Sequence, residues 1–197
     1  MGRAATAKKL KPAEPLKLDL GCGPHKREGF TGVDSRSFPG VDQVVDLTQV
    51  PWPRADHSVA EAHTSHFVEH LTADQRTNFV NELYPVLVVD GTCHVIVPHW
   101  ASCRASGDPT HAWPPVSEFW FYYLNADWRA QNAPHTDSQW NAQGFRCHFA
   151  ATWGYSLRED LHVRASEAQQ FAIANYKEAC QDIIATLKKV AYPERKP

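Results

Sequence analysis

The stretch Leu16-Lys17-Leu18-Asp19-Leu20-Gly21-Cys22-Gly23-Pro24, followed by Gly32-Val33-Asp34, decides the fold of this 197-residue chain. Leu16, Leu18 and Leu20 lead into a glycine turn, as a buried parallel strand does where it delivers the chain to a ligand. Gly21 and Gly23 have no Cβ, so the backbone there can approach a bound molecule closely and take dihedrals other residues avoid. A second short strand, residues 30–34, closes on Asp34, and an acid at that place suits a pair of ribose hydroxyls. A dinucleotide site would need G-x-G-x-x-G running into a helix, with its acid about 20 residues on. Here the acid comes earlier, and no glycine stands at the third place.

These residues resemble the first motifs of class I S-adenosylmethionine (SAM) dependent methyltransferases. In that family the first strand ends in an acid-Leu-Gly-Cys-Gly run and the second in a ribose-binding acid. The resemblance implies SAM as cofactor, held by Asp19, Gly21, Cys22, Gly23 and Asp34. The family usually carries a third glycine two residues after the second, where this chain has His25. An acid after the third strand commonly meets the adenine amino group, which makes Asp46 a candidate with Leu47 packed on the ring. A turn cap is the competing reading of Asp46. Val50-Pro51-Trp52-Pro53 with Asp56-His57-Ser58 resembles the family's proline-aromatic-proline segment before the fourth strand. Ser65-His66-Phe67-Val68-Glu69-His70 then resembles the turn of one subgroup and places Ser65 and His66 at the cofactor. That subgroup usually has an acid where Ala60 stands.

Outward from the motif, strands and helices alternate, which argues for an α/β, Rossmann-like, doubly wound and mostly parallel sheet. Strands are expected at Leu16–Leu20, 30–34, Val41–Asp46, around 61–65 and Thr92–Val97. Thr72 and Gln75 make a capping box, and Phe79, Val80, Leu83, Tyr84 and Leu87 form the apolar face of the helix that follows. More than half of the chain's aromatic residues fall between His99 and Trp153. Residues 99–144 are therefore read as an aromatic-rich insertion after the fifth strand, on the substrate side, with a helix over Glu118–Trp128. The segment resembles small methyltransferases of tailed phages and related microbial genomes. A strand at Phe145–Trp153 and an amphipathic helix over Glu167–Val190, carrying Phe171, Ile173, Tyr176, Ile183, Ile184 and Leu187, complete a single domain over 16–192. Residues 1–15, with little apolar content, are expected to be a flexible tail. Gly2 with Thr6 fits a myristoylation pattern short enough to arise by chance.

Methyl transfer from a sulfonium needs positioning and a dry site, with a base only where the acceptor arrives protonated. His66 directly follows the fourth strand and His70 lies one helical turn on, so both can face one site. His66 is the candidate base, against the alternative of a strand-end histidine bonded to backbone. Asp108 and His111, in a turn-rich part of the insertion, form a second catalytic candidate pair for substrate capture or proton removal. The alternative there is a turn cap and a ring packed on Trp113. No metal is expected, since eleven histidines include no H-E-x-x-H and the cysteines no C-x-x-C; a catalytic metal held through His94, His99 or His111 is the alternative.

A net charge of −2 gives no overall basic field of the kind nucleic-acid binders show. The acid-Pro-Pro-aromatic signature of DNA amino-methyltransferases is replaced by Thr64-Ser65-His66-Phe67, and no Pro-Cys pair is present. These features favour a small-molecule acceptor with an O or N nucleophile without excluding nucleic acid. Modification of nucleic acid or protein, or SAM binding without methyl transfer, stay open as alternatives, the last if His25 and Ala60 deform the site. Exposed aromatics could instead form a homodimer surface. No apolar run approaches the roughly 20 residues of a membrane helix, and no signal peptide is expected from the first residues. Five scattered cysteines point to reduced thiols in a cytoplasmic protein, in the host cytoplasm for one encoded by a phage.

Overall fold

Burial along β1 (Leu16–Leu20) follows its apolar pattern: Leu18 and Leu20 are buried, as is Asp19 between them, so both faces of this strand are covered. The computed structural model describes residues 15–193. The tail expected over residues 1–15, with its Gly2–Thr6 pattern, lies outside the described residues apart from Pro15. Beside β1 stand β2 (Thr31–Asp34), β3 (Gln43–Val44), β4 (Val59–Ser65), β5 (Leu87–Pro98), β6 (Phe149–Leu157) and β7 (Cys180–Lys189). They form one seven-stranded sheet in the order β3-β2-β1-β4-β5-β7-β6. β1 to β5 are parallel, and β7 runs against both β5 and β6. The chain therefore steps outward in one direction from β1 and in the other from β4. That makes the β1/β4 boundary the topological switch point, where such sheets open a crevice at their carboxyl edge.

Helices cover this sheet more thinly than its strand order predicts. The links from β1 to β2 and from β2 to β3 are loops, because residues 21–30 are too few for a crossover helix. α1 (Ala73–Val86) links β4 to β5 and has the expected capping box. Thr72 Oγ1 accepts from the Gln75 N–H at 3.3 Å, and Gln75 Oε1 accepts from the Thr72 N–H at 2.9 Å. Its Phe79, Val80 and Leu83 are fully buried. After β5 come α2 (Cys103–Gly107), α3 (Glu118–Tyr123) and α4 (Ala126–Asn132), and α5 (Glu159–His162) and α6 (Ser166–Asn175) lie between β6 and β7.

Five expectations about elements need correction. The fifth strand, expected over Thr92–Val97, runs over Leu87–Pro98. The helix over Glu118–Trp128 is two helices, because Asn125 Oδ1 accepts the Trp128 N–H at 3.0 Å and starts α4 afresh. The helix over Glu167–Val190 ends at Asn175, and its second half is β7. From Ile183 on, burial along β7 alternates: Ile183, Ala185 and Leu187 are buried, Ile184 and Lys188 exposed and Thr186 part-buried, the period of a strand. The third strand shortens to Gln43–Val44, and β6 begins at Phe149, four residues later than expected. Phe121 and Leu124 of the insertion, with Phe145 just after it, join Leu18, Leu20, Phe79 and Ile183 in the same buried cluster.

Candidate functional site

The glycine turn sits at the carboxyl end of β1. Gly21 and Gly23 have φ of +69° and +53°, the left-handed region where a Cβ is strained. A Cβ on Gly21 would fall 2.4 Å from carbons of the Phe67 ring, whereas one on Gly23 would meet nothing within 4 Å. Gly21 is thus the point where the ends of β1 and β4 touch, and Gly23 opens onto space that a ligand can enter. The Gly21 and Cys22 N–H groups donate to Val33 O at 2.8 and 3.2 Å, tying the turn to β2. Half-buried Asp34, at the end of β2, accepts the Gly23 N–H at 3.0 Å and the Arg36 N–H at 3.0 Å, one on each oxygen. Each oxygen keeps acceptor capacity for a pair of hydroxyls.

The other predicted cofactor residues fall in varied places. Asp19 is buried and accepts the Arg27 N–H at 2.7 Å on one oxygen, while the other lies 2.9 Å from His63 Nδ1. Its bonds hold the 21–30 loop to β1 and β1 to β4. His63 was not legible as its partner, 44 residues away. Burial first, then the charges of Asp19 and Asp34, push the Cys22 thiol up to about 11. Exposed Asp46 accepts from Thr48 N–H and Oγ1 at 2.9 and 2.6 Å, and these bonds hold its carboxyl below the usual range. Those contacts are a turn cap, while the Leu47 side chain is in the core and its carbonyl accepts from Trp52 Nε1 at 3.1 Å. His25 is exposed and absent from the residues with positive φ, so the missing third glycine strains nothing. Ala60 lies at the amino end of β4, away from the carboxyl edge.

Ser65 ends β4, and His66 follows with a φ of +53°. The His66 ring stands between two carboxylates: its Nδ1 is 3.2 Å from Glu69 Oε1, and its Nε2 is 3.9 Å from Asp182 Oδ1. The Glu69 bond raises the His66 pKa above its ordinary value, burial opposes it, and the charges of Glu69 and Asp182 add to the rise. Asp182 of β7 is buried opposite Pro98 of β5, and its other oxygen accepts from Arg104 at 3.0 Å. Nothing in the sequence pointed to Asp182, because its segment read as helix.

The insertion builds a cleft of about 690 Å³ lined by Trp100, Trp113, Phe119, Glu118, Tyr155 and Ile173, among others. Trp113 is 82% exposed and Phe119 64% exposed, and contiguous exposed apolar surface of this kind marks ligand grooves and interaction sites. His99, buried at the end of β5, accepts the Ala101 N–H on Nδ1 at 3.2 Å. Its Nε2 therefore carries the proton donated to Glu118 Oε1 at 3.0 Å. Burial works to raise the Glu118 carboxyl, and the bonds from His99 and Tyr155 outweigh it and leave it low. Burial and the Glu118 charge push the Tyr155 hydroxyl up to about 12. Glu118 and Tyr155 stand among the polar groups of this largely apolar wall, and neither residue type signals such a role in sequence.

Asp108 and His111 meet as expected, with Asp108 Oδ2 3.8 Å from His111 Nε2. Asp108 also caps its own turn through Thr110, whose side-chain and backbone bonds lower its pKa. The pair packs against the 3-10 turn Val68–His70, where the His70 and His111 rings meet edge-on at 4.7 Å. Arg76 of α1, itself buried, clamps this junction through four carbonyls: Val68, Glu69, Ala112 and Pro114, at 2.6–3.1 Å. Glu69, His70 and His111 bring one ligand atom each within 4.8 Å of one another. The sequence offered no metal motif here because His111 comes 41 residues after His70 in the chain.

No protein-family model matches the sequence, and no curated protein matches it. The structure is similar to a SAM-dependent methyltransferase from Archaeoglobus fulgidus, with a TM-score of 0.62 and 19% identity, over 90% of this chain and 87% of that one. It is also similar to the 1,6-didemethyltoxoflavin N1-methyltransferase of Burkholderia thailandensis, solved with its substrate and S-adenosylhomocysteine (TM-score 0.52, 13% identity, 90% and 72% covered). The geranyl diphosphate C-methyltransferase of Streptomyces coelicolor, solved with Mg2+, geranyl diphosphate and S-adenosylhomocysteine, matches at 0.51 and 14%, with 90% and 71% covered. The strand order and the glycine turn at the switch point agree with these likenesses: the chain has the class I SAM-dependent methyltransferase fold.

Proposed function

We propose that this chain is a SAM-dependent methyltransferase acting on an O or N nucleophile of a small molecule. The observation that carries the reading is the Gly21–Gly23 turn bonded to Asp34 at the switch point of the sheet. Open space over Gly23 and free lone pairs on Asp34 fit an adenosine ribose there. Small-molecule methyltransferases among the similar structures, one acting on 1,6-didemethyltoxoflavin and one on geranyl diphosphate, support the substrate class. So does the aromatic cleft, whose size suits a drug-sized ligand. The undistorted backbone at His25 and the remote place of Ala60 favour a working site over a degenerate one.

Bound there, SAM would supply a sulfonium-activated methyl group for in-line displacement. The chain's own task is to hold an acceptor in line, exclude water and take up its proton. Trp100, Trp113 and Phe119 provide the apolar walls, and Glu118 and Tyr155 bond the acceptor's polar groups. His66, its Nδ1–H directed at Glu69, offers Nε2 to the acceptor's proton, and Glu69 and Asp182 stabilise the imidazolium that results. Calorimetric titration with SAM and S-adenosylhomocysteine tests the reading. Asp34→Ala is expected to weaken both at least tenfold, or by about 1.4 kcal/mol, and absence of binding to wild type overturns it. His66→Asn, which tolerates the left-handed backbone, is expected to lower kcat by about 10²–10⁴ for any acceptor that must lose a proton.

A further inference from the structure

We infer that Glu69, His70 and His111 form a binding site for a divalent transition-metal ion of the Mn2+, Co2+ or Zn2+ class. Their ligand atoms already lie within 4.8 Å of one another. An ion with bonds of about 2.1 Å would draw them together by about an ångström, within reach of side-chain rotation.

The hydrogen bonds set the tautomers for this task. His111 Nδ1 lies 3.2 Å from Ala105 O, and a carbonyl only accepts, so Nδ1 carries the proton and Nε2 keeps its lone pair. Thr110 Oγ1 donates to Asp108 Oδ1 at 2.7 Å and therefore accepts from His70 Nδ1 at 3.0 Å. His70 thus also presents Nε2 unprotonated. A metal-ligating histidine commonly donates its other N–H to a carbonyl or a side-chain oxygen in this way.

Glu69 supplies the second, independent observation. Its residue is 3% exposed, and Oε2 is buried without a hydrogen-bond partner, while Oε1 takes the His66 bond. A buried, unpartnered carboxylate oxygen carries a desolvation cost that a cation removes. The scaffold is also fixed before any ion arrives. The Ala112 N–H donates to Glu69 O at 2.8 Å, and Arg76 Nη2 donates to both Glu69 O and Ala112 O at 3.1 Å. Two imidazoles and one carboxylate suit borderline metals and leave a coordination position open. Asp108, whose Oδ2 is 3.8 Å from His111 Nε2, stands at the edge of the site. In the methyl-transfer reading, on which this role alone rests, the open position takes an acceptor oxygen. That oxygen would sit beside His66, which shares the Glu69 carboxylate with the ion.

Metal binding is tested without SAM or acceptor, so its outcome is separate from that of the Asp34→Ala titration. Chelator-treated, desalted protein is titrated with Co2+ and followed by calorimetry and by the visible ligand-field absorption of bound cobalt. One equivalent is expected to bind with a low-symmetry cobalt spectrum. His70→Ala and His111→Ala should each weaken binding at least tenfold, and His57→Ala, at an exposed histidine elsewhere, should leave it unchanged. His70 is exposed, so His70→Ala decides the matter even if His111→Ala fails to fold. Absence of saturable binding below millimolar Co2+, or binding that survives His70→Ala unchanged, overturns the inference.

Discussion

At Gly21, one missing carbon atom serves both conformation and packing. The residue needs a φ of +69°, and the place of its absent Cβ is taken by the Phe67 ring, 2.4 Å away. An L-residue in that region costs about 1–2 kcal/mol, and the ring or the turn must move as well. Gly21→Ala is therefore expected to lower stability by about 2 kcal/mol in urea unfolding and to weaken SAM binding at least tenfold by calorimetry. Unchanged affinity would show that the turn does not shape the cofactor site. The turn was legible because glycines after an apolar strand have few other uses. Its neighbour was not, since Phe67 belongs to another strand's end and contact across the switch point leaves no local pattern. The same holds for Asp19, whose partner His63 lies on β4. Asp46 shows the reverse case: its pattern is clear, yet Thr48 two residues on occupies its carboxylate.

Among the elements, α1 reaches beyond its own packing through Arg76. Apolar periodicity placed Phe79, Val80, Leu83, Tyr84 and Leu87 on its buried face; the first three are buried, Tyr84 is part-buried, and Leu87 is instead the first residue of β5. Arg76 is buried too, because its guanidinium satisfies carbonyls of the Val68–His70 turn and of the 112–114 loop at once. Arg76→Met would keep the stem and remove the donors, leaving four carbonyls to find water or stay unpaired. At about 1–3 kcal/mol for each group left buried without a partner, the loss is expected to reach at least 3 kcal/mol in denaturant unfolding. Co2+ affinity should fall with it, because Glu69 and His111 sit on the two segments that Arg76 joins. A stable variant with unchanged unfolding would show these bonds to be replaceable by water. β7 marks where reading by element failed. Ile183, Ile184 and Leu187 satisfy a helical spacing as well as a strand's, and only pairing with β5 on one side and β6 on the other decides between them. Asp182 was lost with that misreading, and with it one of the two carboxylates beside His66.

The whole molecule divides its site between two kinds of support. In the proposed reading, the cofactor side rests on parallel strand ends, whose motifs are local and could be read directly. On that reading the acceptor side rests on an insertion with little regular structure, held by a hub that composition does not reveal. Arg129 of α4 is fully buried and donates to Tyr123 O at 2.7 Å, Cys147 O at 2.9 Å, Asp137 Oδ2 at 3.2 Å and the Tyr192 hydroxyl at 3.2 Å. One side chain thus ties α3, α4, the approach to β6 and the end of the described chain together. Removing one member of a buried ion pair costs about 3–5 kcal/mol, which for a domain of this size is a fall of roughly 10 °C in Tm. Arg129→Met is expected to show that fall by circular dichroism. The glycine turn and Asp34 draw none of their bonds from this hub, so SAM affinity below the transition should stay within about twofold of wild type, a change under 0.5 kcal/mol. Acceptor turnover should fall further than SAM affinity, because Trp113, Phe119 and Glu118 are carried by the segment that loosens. Equal losses of SAM affinity and turnover would show instead that the sheet edge and the insertion respond as one body.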